Sequence, residues 1–202
     1  MSEDTGGRLP FEGSEEIADI ISGIITNYSI ESFVETGTQR GATCRWVAEK
    51  FPDLAVTTIE INREYFWEAF ENLRDTSVMQ MVGDSSEQLI RLRFLKGERV
   101  LFYLDAHGCG TDRTPLLEEL EAIHALMLNY EIVPWIAIHD FQVPGRPELG
   151  FDRYGEQIIN GEFITPQLLR MGFLGQELRY NSVPDGAARG LAYIGFKQAA
   201  WK

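Results

Sequence analysis

Residues 33–43 read FVETGTQRGAT. An apolar run leads into Glu35, and Gly37 and Gly41 follow, four residues apart, among Thr36, Thr38 and Thr43. A loop that only had to turn needs no carboxylate. Glycines let backbone come close to a bound group, and a carboxylate where a buried strand ends accepts hydrogen bonds in several directions. The combination reads as a loop for a nucleotide-type ligand. The plain alternative is a tight strand-to-helix turn, because a short glycine motif is weak by itself. Four further segments end an apolar stretch on polar groups. These are Glu60-Ile61 in TTIEIN, Asp84-Ser85 in VGDSSEQL, Asp105 with His107 in FYLDAHG, and His139-Asp140 in IAIHDF. Glu60 and Asp84 also read as caps of the helices that follow them. A histidine at such an edge suits proton transfer near neutral pH. His124, inside a helical pattern, reads as structural.

The elements that must carry these residues alternate in type. Ile17, Ile20, Ile21, Ile24 and Ile25 have helical spacing behind Ser14 as N-cap. Strands are expected at SIESFVETG, LAVTTIEIN, SVMQMVGD, RVLFYLDAH and EIVPWIAIHDF. Pro134 weakens the start of the last. Helices are expected over 41–51, 63–74, 86–95, from Thr114 onward with Pro115 at the first helical position, and over 163–171. GQELRYNSV and GLAYIGFK, joined by PDGAAR, predict a closing antiparallel hairpin. The pattern implies an α/β fold with a doubly wound, mostly parallel seven-stranded sheet and helices on both faces. Ligands of such sheets bind beyond the carboxyl ends of the strands. The strand-end acids are therefore expected on one edge. Residues 1–13 read as a flexible lead, and 14–202 as one domain with an inserted lid at about 142–162.

Composition narrows the partners. The chain has 202 residues and a net charge of −13. That charge opposes a phosphate backbone, so no nucleic acid is expected as partner. No apolar run approaches the roughly 20 residues of a membrane span, so no membrane is expected either. Cys44 and Cys109 are the only cysteines. Neither sits in a metal-type pair, and two do not make a disulfide framework. A reduced, cytoplasmic protein is expected, with a homo-oligomer left open.

With the elements in order, the residues resemble class I methyltransferases that use S-adenosylmethionine. ETGTQRGAT is similar to their first motif in the form found among small-molecule O-methyltransferases. TTIEIN resembles the strand whose acid holds the ribose hydroxyls, VGDSSEQL the segment at adenine, and FYLDAHG the fourth-motif strand. The closing hairpin is similar to the antiparallel pair that separates this Rossmann-like fold from dinucleotide-binding domains. The resemblance spans roughly residues 30–197. LDAHG and HDFQVPG also look like a bacterial group within the superfamily.

The resemblance implies S-adenosylmethionine as cofactor, held by Glu35, Thr36, Gly37, Thr38, Gly41, Glu60, Ile61, Asp84, Ser85 and Asp105. It implies methyl transfer to a hydroxyl of a small-molecule acceptor, a sugar among the candidates. LDAHG departs from the Asn/Asp-Pro-Pro-Tyr signature of base-amine methylation. Relatives assisted by a metal carry Asp on the fourth strand and Asp-Asp or Asp-Asn on the fifth. Here Asp105, His139 and Asp140 stand in those places. Mg²⁺ prefers all-oxygen ligands, and the histidine admits Mn²⁺ or another transition ion. The other reading makes His139 or His107 the general base, oriented by Asp105 or Asp140. A noncatalytic cofactor-binding regulatory or assembly protein is the alternative from another class. A nicotinamide-dependent oxidoreductase would want glycine where Glu35 stands.

Overall fold

The computed structural model describes residues 9–106, 114–174 and 177–195. Five parallel strands form its centre: β1 (Ser32–Thr36), β2 (Ala55–Glu60), β3 (Met79–Val82), β4 (Arg99–Leu104) and β5 (Val133–Ile138). β6 (Arg153–Tyr154) and β7 (Gln157–Ile158) make a separate small hairpin. β8 (Arg179–Tyr180) and β9 (Ala192–Gly195) add an antiparallel pair at the edge of the main sheet. The order is β3-β2-β1-β4-β5-β9-β8, so the chain reverses its winding between β1 and β4. This is the expected seven-stranded, doubly wound architecture.

Alternation along the strands divides the core in two. Val34, Phe102, Leu104, Ile136 and Ile138 face one side and pack against α4 (Ser85–Leu89), α5 (Leu116–Tyr130) and α6 (Gly161–Arg170). Phe33, Leu101, Tyr103, Trp135 and Ala137 face the other side, covered by α1 (Glu15–Asn27), α2 (Ala42–Lys50) and α3 (Arg63–Leu73). Full burial of each such side chain contributes about 1.5–3 kcal/mol, so the apolar layers set the register. Glu35 is level with Thr58 on β2 and Tyr103 on β4, and Tyr103 is level with Ala137 on β5. The period of two therefore puts Glu35, Glu60, Asp105 and His139 on the face that α1 and α2 cover.

Three expectations change in detail. The helix expected over 86–95 stops at Leu89, because the Arg93 guanidinium turns back onto the carbonyls of Ile90, Arg91 and Leu92. β8 has only two residues: Asn181 bonds Leu191 N and Arg189 O, closing the loop after it. The lead expected over 1–13 is not free at its described end, where Phe11 is 2% exposed. Pro134 is accommodated because Val133 donates to Glu98 on the β4 side and β9 pairing begins only at Trp135. The insert at 142–162 carries the β6–β7 hairpin and buries Val143, Leu149, Tyr154 and Ile159.

Candidate active site

The loop after β1 is built from left-handed residues. Gly37, Gln39 and Gly41 have φ of 82°, 49° and 79°. A Cβ on Gly37 would lie 2.2 Å from the Asp105 carbonyl oxygen, so only glycine lets β1 and β4 end side by side. Gly37 N donates to Ile59 O, which ties the loop to β2. Gly41 then precedes α2 as its N-cap. The turn reading of both glycines is thus correct, and the same turn leaves Gly37 lining a cleft.

Glu60 sits at the lip of that cleft. Its Oε2 accepts from Gln39 N at 2.7 Å and its Oε1 from Asn62 N at 2.7 Å. Each oxygen keeps a further lone pair. Burial raises its pKa, and the amides of Asn62, Gln39 and Ile61 oppose that rise. Glu35 lies deeper, 2% exposed. Its Oε2 accepts from Thr58 Oγ1 at 2.7 Å, and Thr58 Oγ1 also meets Thr38 Oγ1 at 2.6 Å. Burial pushes the Glu35 carboxyl up to about 8, against the Thr58 hydrogen bond and with the help of the Asp105 charge. Thr36 points elsewhere: its Oγ1 accepts from Asp105 N at 3.3 Å and fixes the β4 end.

Across the cleft the partners are ionisable side chains. His139, 1% exposed, places Nδ1 3.1 Å from Asp105 Oδ1 and 3.3 Å from Asp140 Oδ1. Its Nε2 has no hydrogen-bond partner among the described residues. Burial lowers the imidazole pKa, yet the carboxylates of Asp105 and Asp140 overcome it and hold it well above the usual value. Asp140 is buried too, which favours its neutral form. His139 and Arg189 reverse that and hold it ionised. Arg189 bridges Asp140 to Asp152 in the insert. Asp140 has a left-handed φ of 55°, and its carbonyl accepts from Asp152 N at 2.9 Å. That non-glycine left-handed backbone costs about 1–2 kcal/mol, and its neighbours hold it in place.

Glu12 completes this side, and sequence reasoning missed it. Phe11, Glu12 and Gly13 form a left-handed turn with φ of 50°, 52° and 82°. Phe11 packs edge-on against Trp46 and Tyr103, at 5.1 and 5.6 Å between ring centroids. Its burial, about 1.5–3 kcal/mol, is of the size needed to offset the two strained non-glycine residues. Phe11 N donates to Thr43 Oγ1 at 3.1 Å, and Ala187 N donates to Glu12 O at 3.1 Å. Asp185 accepts from Ser14 Oγ and from the amides of Glu15 and Glu16, clamping the start of α1. One ligand atom each of Glu12, His139 and Asp140 lies within 4.8 Å of the others. Burial raises the Glu12 pKa; His139 lowers it, and Asp140 and Asp105 raise it. Only Gly13 signalled this turn, and one glycine does not fix the two residues before it.

These groups share a cavity of about 660 Å³ lined by Glu12, Glu35, Glu60, Asp105, Asp140 and Asp152, with Gly37, Thr38 and Ile61 among its other walls. No lysine or arginine lines it among the described residues. A smaller pocket of about 150 Å³ adjoins it through Gly37, Glu60 and Ile61, and reaches Gly83, Asp84, Ser85, Ala106 and Glu118. Asp84 also caps α4, accepting from Ser86 N at 3.0 Å, which is its capping reading. His139 stands behind the cavity wall rather than in it. Gly41 lines a different surface recess. His107 and Cys109 lie outside the described residues.

No family model matches the sequence, and no curated protein matches it. Solved structures do. A candidate caffeoyl-CoA O-methyltransferase from Staphylococcus aureus superposes with a TM-score of 0.63 at 16% identity, covering 90% of this chain and 83% of that one. CalS10, an amino pentose methyltransferase of calicheamicin biosynthesis from Micromonospora echinaspora, was solved with S-adenosylmethionine bound. It gives 0.60 at 16% identity over 94% and 93%. An S-adenosylmethionine-dependent methyltransferase from Aquifex aeolicus gives 0.57 at 14% identity over 92% and 91%. The architecture expected from the sequence is the one these structures share.

Proposed function

We propose that this chain transfers the methyl group of S-adenosylmethionine to a hydroxyl of a small molecule, a sugar among the candidates. The carrying observation is Glu60. Two backbone amides fix its carboxylate at the lip of the cavity, and one lone pair per oxygen stays open. That is the geometry to accept both hydroxyls of a ribose. The smaller pocket at Asp84 and Ser85 takes the adenine, and the glycine loop takes the methionine end, with Glu35 at its ammonium. Bound CalS10 supports this placing by its fold.

In the reaction the carbon–sulfur bond breaks as the acceptor oxygen bonds the methyl carbon. Sulfur leaves as a neutral thioether in S-adenosylhomocysteine, and the hydroxyl proton passes to a carboxylate oxygen of Asp105 in the cavity wall. Holding oxygen and methyl in line supplies much of the acceleration. Asp105 and Asp140 present the oxygens that face the acceptor. His139 acts through them: its buried ring holds Asp105 and Asp140 in place from behind.

Calorimetry with S-adenosylmethionine tests the reading, followed by product assay against hydroxylated acceptors. Glu60→Ala is expected to weaken cofactor binding by about 1.5–3 kcal/mol, the value of hydrogen bonds to a charged group. Equal affinity in the variant removes the ribose assignment. Tight binding with no turnover on any acceptor would favour the noncatalytic alternative.

A further inference from the structure

The two edges of the main sheet are unequal. At one edge β8 is two residues long and carries Arg179, the short, charged form that discourages further pairing. At the other, β3 reads Met-Gln-Met-Val, with no charge and no proline. Gly83 N donates to Glu60 O. Backbone groups alternate sides along a strand, so Met79 and Met81 turn theirs to β2, while Gln80 and Val82 turn theirs outward. Among the described residues no hydrogen bond closes that outer side. We propose that β3 pairs antiparallel with β3 of a second copy of this chain, about a twofold axis at Met81.

Register, area and charge select this occupant. Centring on Met81 sets Gln80 opposite Val82 of the second copy, and each such pair exchanges both N–H···O bonds. The open row meets the same row reversed, the self-complementarity that a twofold contact requires. That axis stands perpendicular to the sheet, so α3 of each copy comes to the same face. Val78 packs on the α3 side of the sheet and Met81 on the α4–α5 side, so the period of two puts Val82 with α3. There α3 turns aromatic rings to solvent. Trp67 is 61% and Phe70 45% exposed, and Trp67 meets Phe66 and Phe70 edge-on at 5.4 and 5.7 Å between centroids. With the half-exposed Met79 and Val82 these leave roughly 400 Å² of apolar side chain on each copy, taking about 150–250 Å² for a whole aromatic. One partner in a standard interface buries about 800 Å², and the strand edge with the rest of α3 supplies the remainder. β3 itself adds no buried charge to two copies that each carry −13.

The pairing does not depend on the methyl-transfer reading, and the test uses the full chain without cofactor. Sedimentation of the parent from about 1 to 100 µM, the range of moderate affinity, should show the mass rising to that of two chains. Association should tighten as salt rises, because screening weakens the repulsion between two copies of charge −13 and leaves an apolar contact in place. Val82→Lys and, separately, Trp67→Glu should each weaken association by about 10-fold or more, since each buries an unpaired charge. Leu128→Lys, at an exposed leucine of α5, should leave it unchanged. Melting shows that each variant is folded. Cysteines read the register. In Met81→Cys the paired Cα atoms lie about 4.5 Å apart, within disulfide reach, so mild oxidation should give a covalent dimer. In Met79→Cys the new thiol stands roughly 13 Å along the strand from its counterpart and should give none above the parent, whose Cys44 and Cys109 set the background. A parent that stays monomeric over the whole range overturns the proposal. So does a folded Val82→Lys that associates as tightly as the parent, an association that weakens with salt, or crosslinking through Met79→Cys and not through Met81→Cys.

Discussion

At the ends of β1 and β2 the carboxyl groups of Glu35 and Glu60 are held by uncharged donors, a threonine hydroxyl and two backbone amides. At the ends of β4 and β5, Asp105 and Asp140 are held by an imidazole and a guanidinium. One cavity thus has a neutral half and an ionic half. Backbone amides come with the fold and need no distant partner. Charges buried opposite one another must all arrive, because each is costly alone. The difference predicts where the molecule is robust and where it is brittle.

The comparison breaks most sharply at Arg189. Arg189→Ala leaves Asp140 and Asp152 facing each other without their shared cation. Removing one partner of a fully buried pair typically costs about 3–5 kcal/mol; Arg189 and Asp152 are partly exposed, so urea unfolding should show a loss at or below the lower end of that range. A loss below about 1 kcal/mol would mean that the ionic half is solvated and that the contrast is false.

The neutral half should reveal itself through pH. Glu35 keeps its proton to about 8 in the folded protein, whereas the unfolded chain releases it near its ordinary value of about 4.3. Between those values the folded state binds the extra proton, so Glu35's contribution to stability is full below about 4.3 and is lost as pH rises to 8. The slope is at most about 1.4 kcal/mol per pH unit. Glu35→Gln should flatten it relative to the parent in unfolding measured from pH 5 to 8. Parallel curves would place a carboxylate, not a carboxylic acid, behind Thr58.

The smallest expected effect lies at the seam between the halves. Thr43→Val removes the acceptor of the Phe11 amide and should cost about 1 kcal/mol, the net worth of one hydrogen bond. Faster exchange should be confined to residues 9–14. Loosening that spreads into β1 or β2 would show that the halves are not separable.

The two halves were unequally legible. Glu35, Gly37 and Glu60 could be read because each follows a run of strand residues and its role is set within a few positions. The loop amide at Gln39 and the neighbouring amide at Asn62 then do the holding. Asp105, His139 and Asp140 were readable as strand ends expected to meet, but not with the distant residues that hold them. Arg189 sits in a turn sequence, Asp152 in the insert and Glu12 in the segment read as a flexible lead. Their roles come from placement across 37, 49 or more residues, which no local pattern carries. Asp185 shows the same effect in reverse. It belongs to a turn motif and does make a turn, yet its carboxylate caps α1 from 171 positions away.

That last clamp has a consequence in time. Contacts between 12–16 and 182–187 span nearly the whole chain, and long loops close slowly and late. During synthesis at about 5–20 residues per second, the strands carrying Glu35 and Glu60 leave the ribosome well before Asp185 does. Glu12 waits at the start of the chain until the last strands pair. The ionic half of the cavity is therefore the last part of the molecule to come into existence, and a nascent chain forms the neutral half first.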